Sequence, residues 1–405
     1  MSSLSSTTQA TLRADEASLW HWLRDRGLRF DPFAVLNAAE DPHLSQYLVG
    51  HEQFAHVWGD WIAWLFAPAG GGKTAMRVRT TRACWVGQAP NRPFPIPYNP
   101  PYLRWERLPP SWDDHLLALG RAGARALLMT LAYRPHWFMN LQGEDRRVLR
   151  RALAWNLPGP LSTYVELCRE TGSLTQVRRA LNLGPAFALP DPPKPDTLRE
   201  WCRAIEATPS AEDRPESAAT RWEALLAALL DTLHVRSLYI LLDGLDAVPE
   251  TYLDADNVVA VLDPWIPHLF TWAEQGIYVK GFLPLATHRT LQQRCPEAFA
   301  AQRCAFLTWS PALLSEVVRR RVYVASEGAF GSLDAIASPG LRDVETLLAE
   351  AVEPLPREML VLTRDMLQFH LRRAGREGYL EEKDIEQAIE RYQHNRGGTP
   401  AYQGE

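Results

Sequence analysis

Two apolar runs break the otherwise mixed pattern of hydrophobic and polar positions: Trp61-Ile62-Ala63-Trp64-Leu65-Phe66 and, after Ser237, Leu238-Tyr239-Ile240-Leu241-Leu242. A run without alternation predicts a strand covered on both faces, because a half-exposed strand would read polar at every second position. Ile277 to Leu285 repeats the pattern, and Ala305 to Trp309 is a shorter version. Phe94-Pro95-Ile96-Pro97-Tyr98 is apolar too. Its own prolines, with Pro93, Pro100 and Pro101 around it, remove backbone donors, so it is expected only at a sheet edge. Helix-period stretches separate these runs. Such alternation predicts an α/β fold, a parallel sheet covered by helices as a three-layer core.

The helical stretches set the expected domain plan. Residues 1–14 are rich in Ser and Thr and read as frayed. Asp15 to Arg26 is amphipathic, with Leu19, Trp20, Trp22 and Leu23 on one face, and Asp31-Pro32-Phe33 is a turn. Phe54 to Trp58 and Thr74 to Trp85 flank the first strand. Asp113 to Trp155 has helical periodicity, patches continue to Leu181, and Leu189 to Pro195 and Thr208 to Ser217 interrupt it. Val258 to Glu274 and Leu291 to Ala300 are expected as further helices, and after Ser310 only helix-period sets remain. The plan is an N-terminal helical arm over 1–46, a core over 47–310 and an all-helical C-terminal unit over 311–405. Residues 113–233 read as a helical insertion between strands or, alternatively, as two more core helices with long loops.

Chemistry enters at the ends of the apolar runs. Ala67-Pro68-Ala69-Gly70-Gly71-Gly72-Lys73-Thr74 joins the first strand to a helix-compatible segment. Consecutive glycines free the backbone to curl, so that N–H groups turn toward one anion. The helix start adds its positive dipole end. Lys73 is placed to reach β- and γ-phosphate oxygens, and the Thr74 hydroxyl to ligate Mg²⁺. This is the phosphate-binding loop G-x-x-x-x-G-K-[ST], with Ala67 where the pattern has its first glycine. The second run ends in Asp243-Gly244-Leu245-Asp246. Functional groups of open α/β sheets gather at the carboxyl ends of strands, and Asp243 there is expected to hold the Mg²⁺ hydration shell opposite Thr74.

Composition narrows the class. A hydrophobic fraction of 46% suits a globular chain, no apolar run reaches the length of a bilayer span, and Met1 to Ser5 has no signal-peptide pattern. The net charge of -5 offers no general attraction to nucleic acid. Cys84, Cys168, Cys202, Cys295 and Cys304 are scattered without a C-x-x-C pair, which points to reduced, cytoplasmic, mostly buried thiols. The tryptophans, none in a basic run, read as core or interface filler.

Together these residues resemble the AAA+/STAND division of P-loop NTPases. Val49-Gly50-His51-Glu52 is similar to the V-G-R-E segment lying over adenine in those proteins. Leu307-Thr308-Trp309-Ser310, with Leu314, Val317-Val318 and Arg321-Val322, resembles the lid entry of bacterial members, and Pro356-Arg357-Glu358 the lid's sensor 2 arginine motif. The resemblance spans roughly residues 31–110 and 235–393. It implies ATP and Mg²⁺ as cofactors, with Gly50, His51 and Ala69 to Thr74 binding nucleotide and Thr74 and Asp243 the metal. Arg357 is then the lid contact to the γ-phosphate. Thr287 or His288, after the fourth strand, is read as its sensor or as a polar loop residue. Arg294 or Arg303 is read as a trans-acting finger or as a solvated surface charge. His51 is read either as stacking on adenine or as a hydrogen-bonded structural histidine. Arg319-Arg320-Arg321 reads as a helix's wet face or as a contact to phosphate or DNA.

Two departures bear on turnover. STAND proteins end this strand as D-G-x-D-E, whereas Ala247 stands at the glutamate position; AAA+ hydrolases place glutamate where this chain has Gly244. Asp246 remains to orient water. A general base contributes about 10²–10⁴-fold, so a poor one suits a slow switch. The expected function is an ATP-binding, weakly hydrolysing conformational or assembly switch, a slow ATPase working with a homo-oligomer or protein partner. The alternatives are a DNA-associated AAA+ ATPase, a loader or transposition regulator, and a degenerate NTPase scaffold.

Overall fold

The computed structural model describes residues 18–85, 92–100, 109–188, 191–209, 213–246 and 254–397 of the 405-residue chain. The start of the arm, Leu189-Pro190 and Ala247 lie outside them. In chain order the elements are α1 (18–25), α2 (Leu44–Tyr47), α3 (Phe54–Val57), β1 (Ala63–Ala67), α4 (Lys73–Trp85) and β2 (Phe94–Tyr98). Then follow α5 (Trp112–Tyr133), α6 (His136–Met139), α7 (Gly143–Asn156), α8 (Leu161–Thr171), α9 (Leu174–Ala180), α10 (Pro195–Ala207) and α11 (Ala218–Leu226). The second half holds β3 (Leu238–Leu242), α12 (Ala255–Leu262), α13 (Leu269–Glu274), β4 (Ile277–Pro284), α14 (Thr287–Arg294), α15 (Pro296–Ala300) and β5 (Arg303–Phe306). Helices α16 (Pro311–Ala325), α17 (Val344–Ala351), α18 (Pro356–Ala374) and α19 (Glu382–Gly397) complete it.

The expected helix over Val258 to Glu274 is three pieces: α12, a 3-10 stretch over Asp263–His268, and α13. Pro264 and Pro267 lack the N–H that an α-helix needs there. The last strand comes two residues earlier than Ala305 to Trp309 suggested, and Trp309 is outside it.

The chain divides into two compact units. One holds His51–Ala69 and Lys73–Leu307 and contains the sheet. Its five strands are all parallel, in the order β2-β3-β4-β1-β5. The proline-rich β2 is at an edge, where missing donors are tolerated. β1, β3 and β4 lie inside the sheet, and β1 and β3 are buried at every residue. From β1 the chain crosses to the far edge at β2, then works back through β3 and β4 and past β1 to β5. Right-handed crossovers travelling in opposite directions put their helices on opposite faces. Helix α4 packs on β1, β2 and β4, while α5 packs on β2 and α13 on β4, an arrangement compatible with three layers.

Within residues 112–233, α5 is a core helix of this unit. An added Cβ on Gly123 would lie 2.5 Å from Leu225 Cδ2 and 3.4 Å from Ile96 Cδ1, so α5 is clasped between α11 and the sheet. Helix α5 is long and apolar enough to cross a membrane by composition, yet 72% of its apolar window is buried inside the structure. Burial explains its hydropathy.

The other unit comprises the described residues of Met1–Gly50, Gly70–Gly72 and Thr308–Glu405. The arm shares one core with the C-terminal helices: Leu19, Trp22, Leu23, Leu28 and Phe33 cluster with Leu314, Val318, Val322, Met359 and Leu367. Full burial of such side chains contributes roughly 1.5–3 kcal/mol each. The expected wet face of α16 needs correction at one position. Arg321 is buried, donates to Pro32 O and pairs with Asp41 at 3.1 Å, with Tyr47 beneath its guanidinium. Arg319 and Arg320 fit the solvated reading better, pairing with Glu345 and Glu316 while part-exposed.

Candidate functional site

Parallel register brings the carboxyl ends of three strands to one side of the sheet. Ala67, the last residue of β1, pairs with Pro284 of β4, and Leu242 of β3 pairs with Gly281 of β4. The glycine loop, the Thr287-His288 segment and the Asp243-Asp246 segment therefore follow consecutive strands. In the loop, Gly70 and Gly72 adopt φ of 80° and 95°, a left-handed backbone that residues with a Cβ seldom take. Helix α4 begins at the next residue, with its first-turn N–H groups free of helical partners.

Lys73 is the first residue of that helix and only 6% exposed. Its ammonium donates to Ala67 O and Pro68 O, both at 3.0 Å, and pairs with Asp246 Oδ2 at 2.9 Å. One helical turn on, Arg77 Nε donates to Asp243 Oδ2 at 2.9 Å, and both side chains are buried. Residues i and i+4 share a helix face, so α4 presents two cations in a row and the end of β3 answers with two carboxylates. Asp243 is fixed further by its own N–H, which donates to Tyr98 O at 3.0 Å. Thr74 is half-buried and Ala69 exposed.

Arg77 was not singled out by the sequence, where it reads as an ordinary helix arginine. The available signal was its spacing of four from Lys73 on a helix packed against a sheet. Asp243 and Thr74, expected to hold Mg²⁺, do not fit that ion in this arrangement. The carboxylate already serves a guanidinium, and a second cation beside it would meet like charge.

The other expected site residues have local partners. Thr287 is buried and its hydroxyl donates to Pro284 O at 2.7 Å. His288 lies edge-on to Phe66, Phe299 and Phe306, with ring centroids 4.9–5.3 Å away. Arg294 pairs with Asp256 and Asp263 at 3.2 and 3.3 Å. Arg303 stacks on Trp61 at 3.6 Å and pairs in register with Ala63, so it enters at the amino end of the sheet. His51 is buried and accepts from Gln53 N–H at 3.2 Å through Nδ1, a structural use of the ring. Gly50 is exposed, with nothing within 4 Å of an added Cβ. In the unit that holds it, Arg357 is exposed and its N–H donates to Gly70 O at 3.3 Å, while Trp309 Nε1 donates to Gly71 O at 2.9 Å.

A second set of buried charges occupies the amino side of the sheet. Lys280, within β4, is fully buried, and its ammonium donates to Gly59 O at 2.7 Å and to Trp61 O, with the Tyr239 ring 4.6 Å away. Burial pushes this ammonium down to about 7, while Asp60 and Cys84 act in the opposite sense. Asp60 itself accepts from Arg236, Ser237 and Tyr239.

Chemically, the carboxyl side offers the first-turn N–H groups of α4 and a buried ammonium paired, among the described residues, with the part-exposed carboxylate of Asp246. Comparison of the chain with protein-family models, curated proteins and solved structures finds no match.

Proposed function

We propose that the chain is a nucleoside-triphosphate-binding switch of the AAA+/STAND kind, with ATP as its nucleotide. The observation that carries this reading is the placement of Lys73. A buried ammonium follows a glycine loop with left-handed residues, opens a helix, and touches a carboxylate from the end of a neighbouring parallel strand. Phosphate groups suit such a place because backbone N–H groups, the helix dipole and the ammonium all favour negative charge.

In the switch, phosphate oxygens replace Asp246 as the partner of Lys73. Asp246, 21% exposed at its side chain, is then free to accept a hydrogen bond from water. It is the residue assigned to any slow hydrolysis. A homo-oligomer or protein partner in the cytoplasm would read the change. The Arg77–Asp243 pair favours one second reading, a nucleotide-binding scaffold without turnover.

Thermal unfolding with and without ATP tests the binding step. Ligand at 100 times its dissociation constant stabilises by about 2.7 kcal/mol. Lys73→Ala removes charged hydrogen bonds worth roughly 1.5–3 kcal/mol, an affinity loss of about tenfold or more. A melting temperature indifferent to saturating ATP in the wild-type chain would refute the reading.

A further inference from the structure

We propose that Arg77 is the built-in counter-ion of Asp243, standing in for a hydrated divalent cation, so that this site takes a nucleoside triphosphate without Mg²⁺. The inference rests on the nucleotide-binding reading of the Lys73 site and specifies what that site requires. Both partners are buried and joined at 2.9 Å through Arg77 Nε. Each is anchored: Arg77 by helix α4, where Thr81 Oγ1 donates to its carbonyl at 3.0 Å, and Asp243 by the backbone bond to Tyr98 O. A guanidinium is charged at every accessible pH, so it neutralises the carboxylate permanently. A divalent ion arriving with the nucleotide would find its protein carboxylate already satisfied and a positive charge beside it.

The same pairing accounts for Lys73 and Arg77 of α4 having different fates. Lys73 is matched to Asp246, which is part-exposed and is released to water when phosphate takes its place. Asp243 has no such route, because losing Arg77 would leave a buried charge unpaired. Lys73 is therefore the exchangeable cation and Arg77 the fixed one.

The experiment is calorimetric titration of ATP into the full chain, once with excess MgCl₂ and once with excess EDTA. Wild type is expected to bind with affinities within about threefold of each other in the two buffers. Arg77→Met is expected to gain Mg²⁺ dependence, binding about tenfold or more tightly with MgCl₂ than with EDTA. Arg77→Met combined with Asp243→Asn, which buries no unpaired charge, should lose that dependence again. Arg77→Lys, which keeps the cation, should behave as wild type. Tenfold weaker binding by wild type in EDTA overturns the inference and leaves nucleotide binding intact. Equal affinities in both buffers for a folded Arg77→Met chain also overturn it. If Arg77→Met fails to fold, the Arg77→Lys and wild-type titrations decide. ATP binding by no variant in either buffer defeats the nucleotide reading itself.

Discussion

The two ends of the parallel sheet hold buried charge in different ways. At the carboxyl end, Lys73 and Arg77 face Asp246 and Asp243 one to one. At the amino end, Lys280 is held by the Gly59 and Trp61 carbonyls and by aromatic rings, and Asp60 by three donors. Backbone carbonyls cannot leave, so the amino end is a fixed scaffold. At the carboxyl end the part-exposed Asp246 can turn to water, so the Lys73 pair is open to exchange, while the buried Arg77–Asp243 pair is fixed. The two ends thus differ in the mobility of the partner that each buried ammonium has.

The comparison can be broken most forcefully at Arg77. Arg77→Met should cost about 3–5 kcal/mol in denaturant unfolding, because Asp243 is left buried and unpaired. Adding Asp243→Asn should recover most of that loss, since an amide is far less costly to bury than a carboxylate.

The amino end is probed by pH. An unfolded chain keeps the Lys280 proton up to its ordinary value of 10.5, whereas the folded chain releases it near 7. Between those values the unfolded state holds more protons, so stability rises with pH. Below about 7 both states are protonated and the full cost of the buried cation is present. From pH 7 to 9 wild type should gain about 1–3 kcal/mol relative to Lys280→Met, measured by urea unfolding at each pH. A difference between the two chains that does not change with pH would contradict the assignment.

Lys73→Ala is expected to cost only about 1 kcal/mol of stability, since Asp246 can be hydrated once its partner is gone. Its larger effect is on binding: at one ATP concentration, an affinity loss of about tenfold should cut the ATP-induced stabilisation to about half. The smallest effect belongs to Arg294→Ala. That side chain is 40% exposed and paired with exposed carboxylates, so the change should stay within about 1 kcal/mol and shrink further in salt.

The strands, most helices and the glycine loop were legible because each is written locally. Unbroken apolar runs gave β1, β3 and β4, prolines marked β2 as an edge, and three glycines before Lys-Thr marked a turn into a helix. Boundaries shifted where a local residue countermanded the period, as Pro264 and Pro267 did after α12. Of the site, Lys73, Asp243 and Asp246 were singled out from sequence, but the pairing of Lys73 with Asp246 and the role of Arg77 as the partner of Asp243 were not.

By itself, then, the sequence determined which segments become strands and helices and which residues carry charge near strand ends, since these follow from periodicity and backbone preference. Tertiary structure alone decided the rest: that the arm beginning near Leu19 shares a core with α16 and α18, that Arg321 is buried against Asp41, and that Arg77 meets Asp243 across 166 positions of chain. Pairing between distant charges depends on strand order and register. Those are set by how the layers pack, and no short stretch of sequence encodes them.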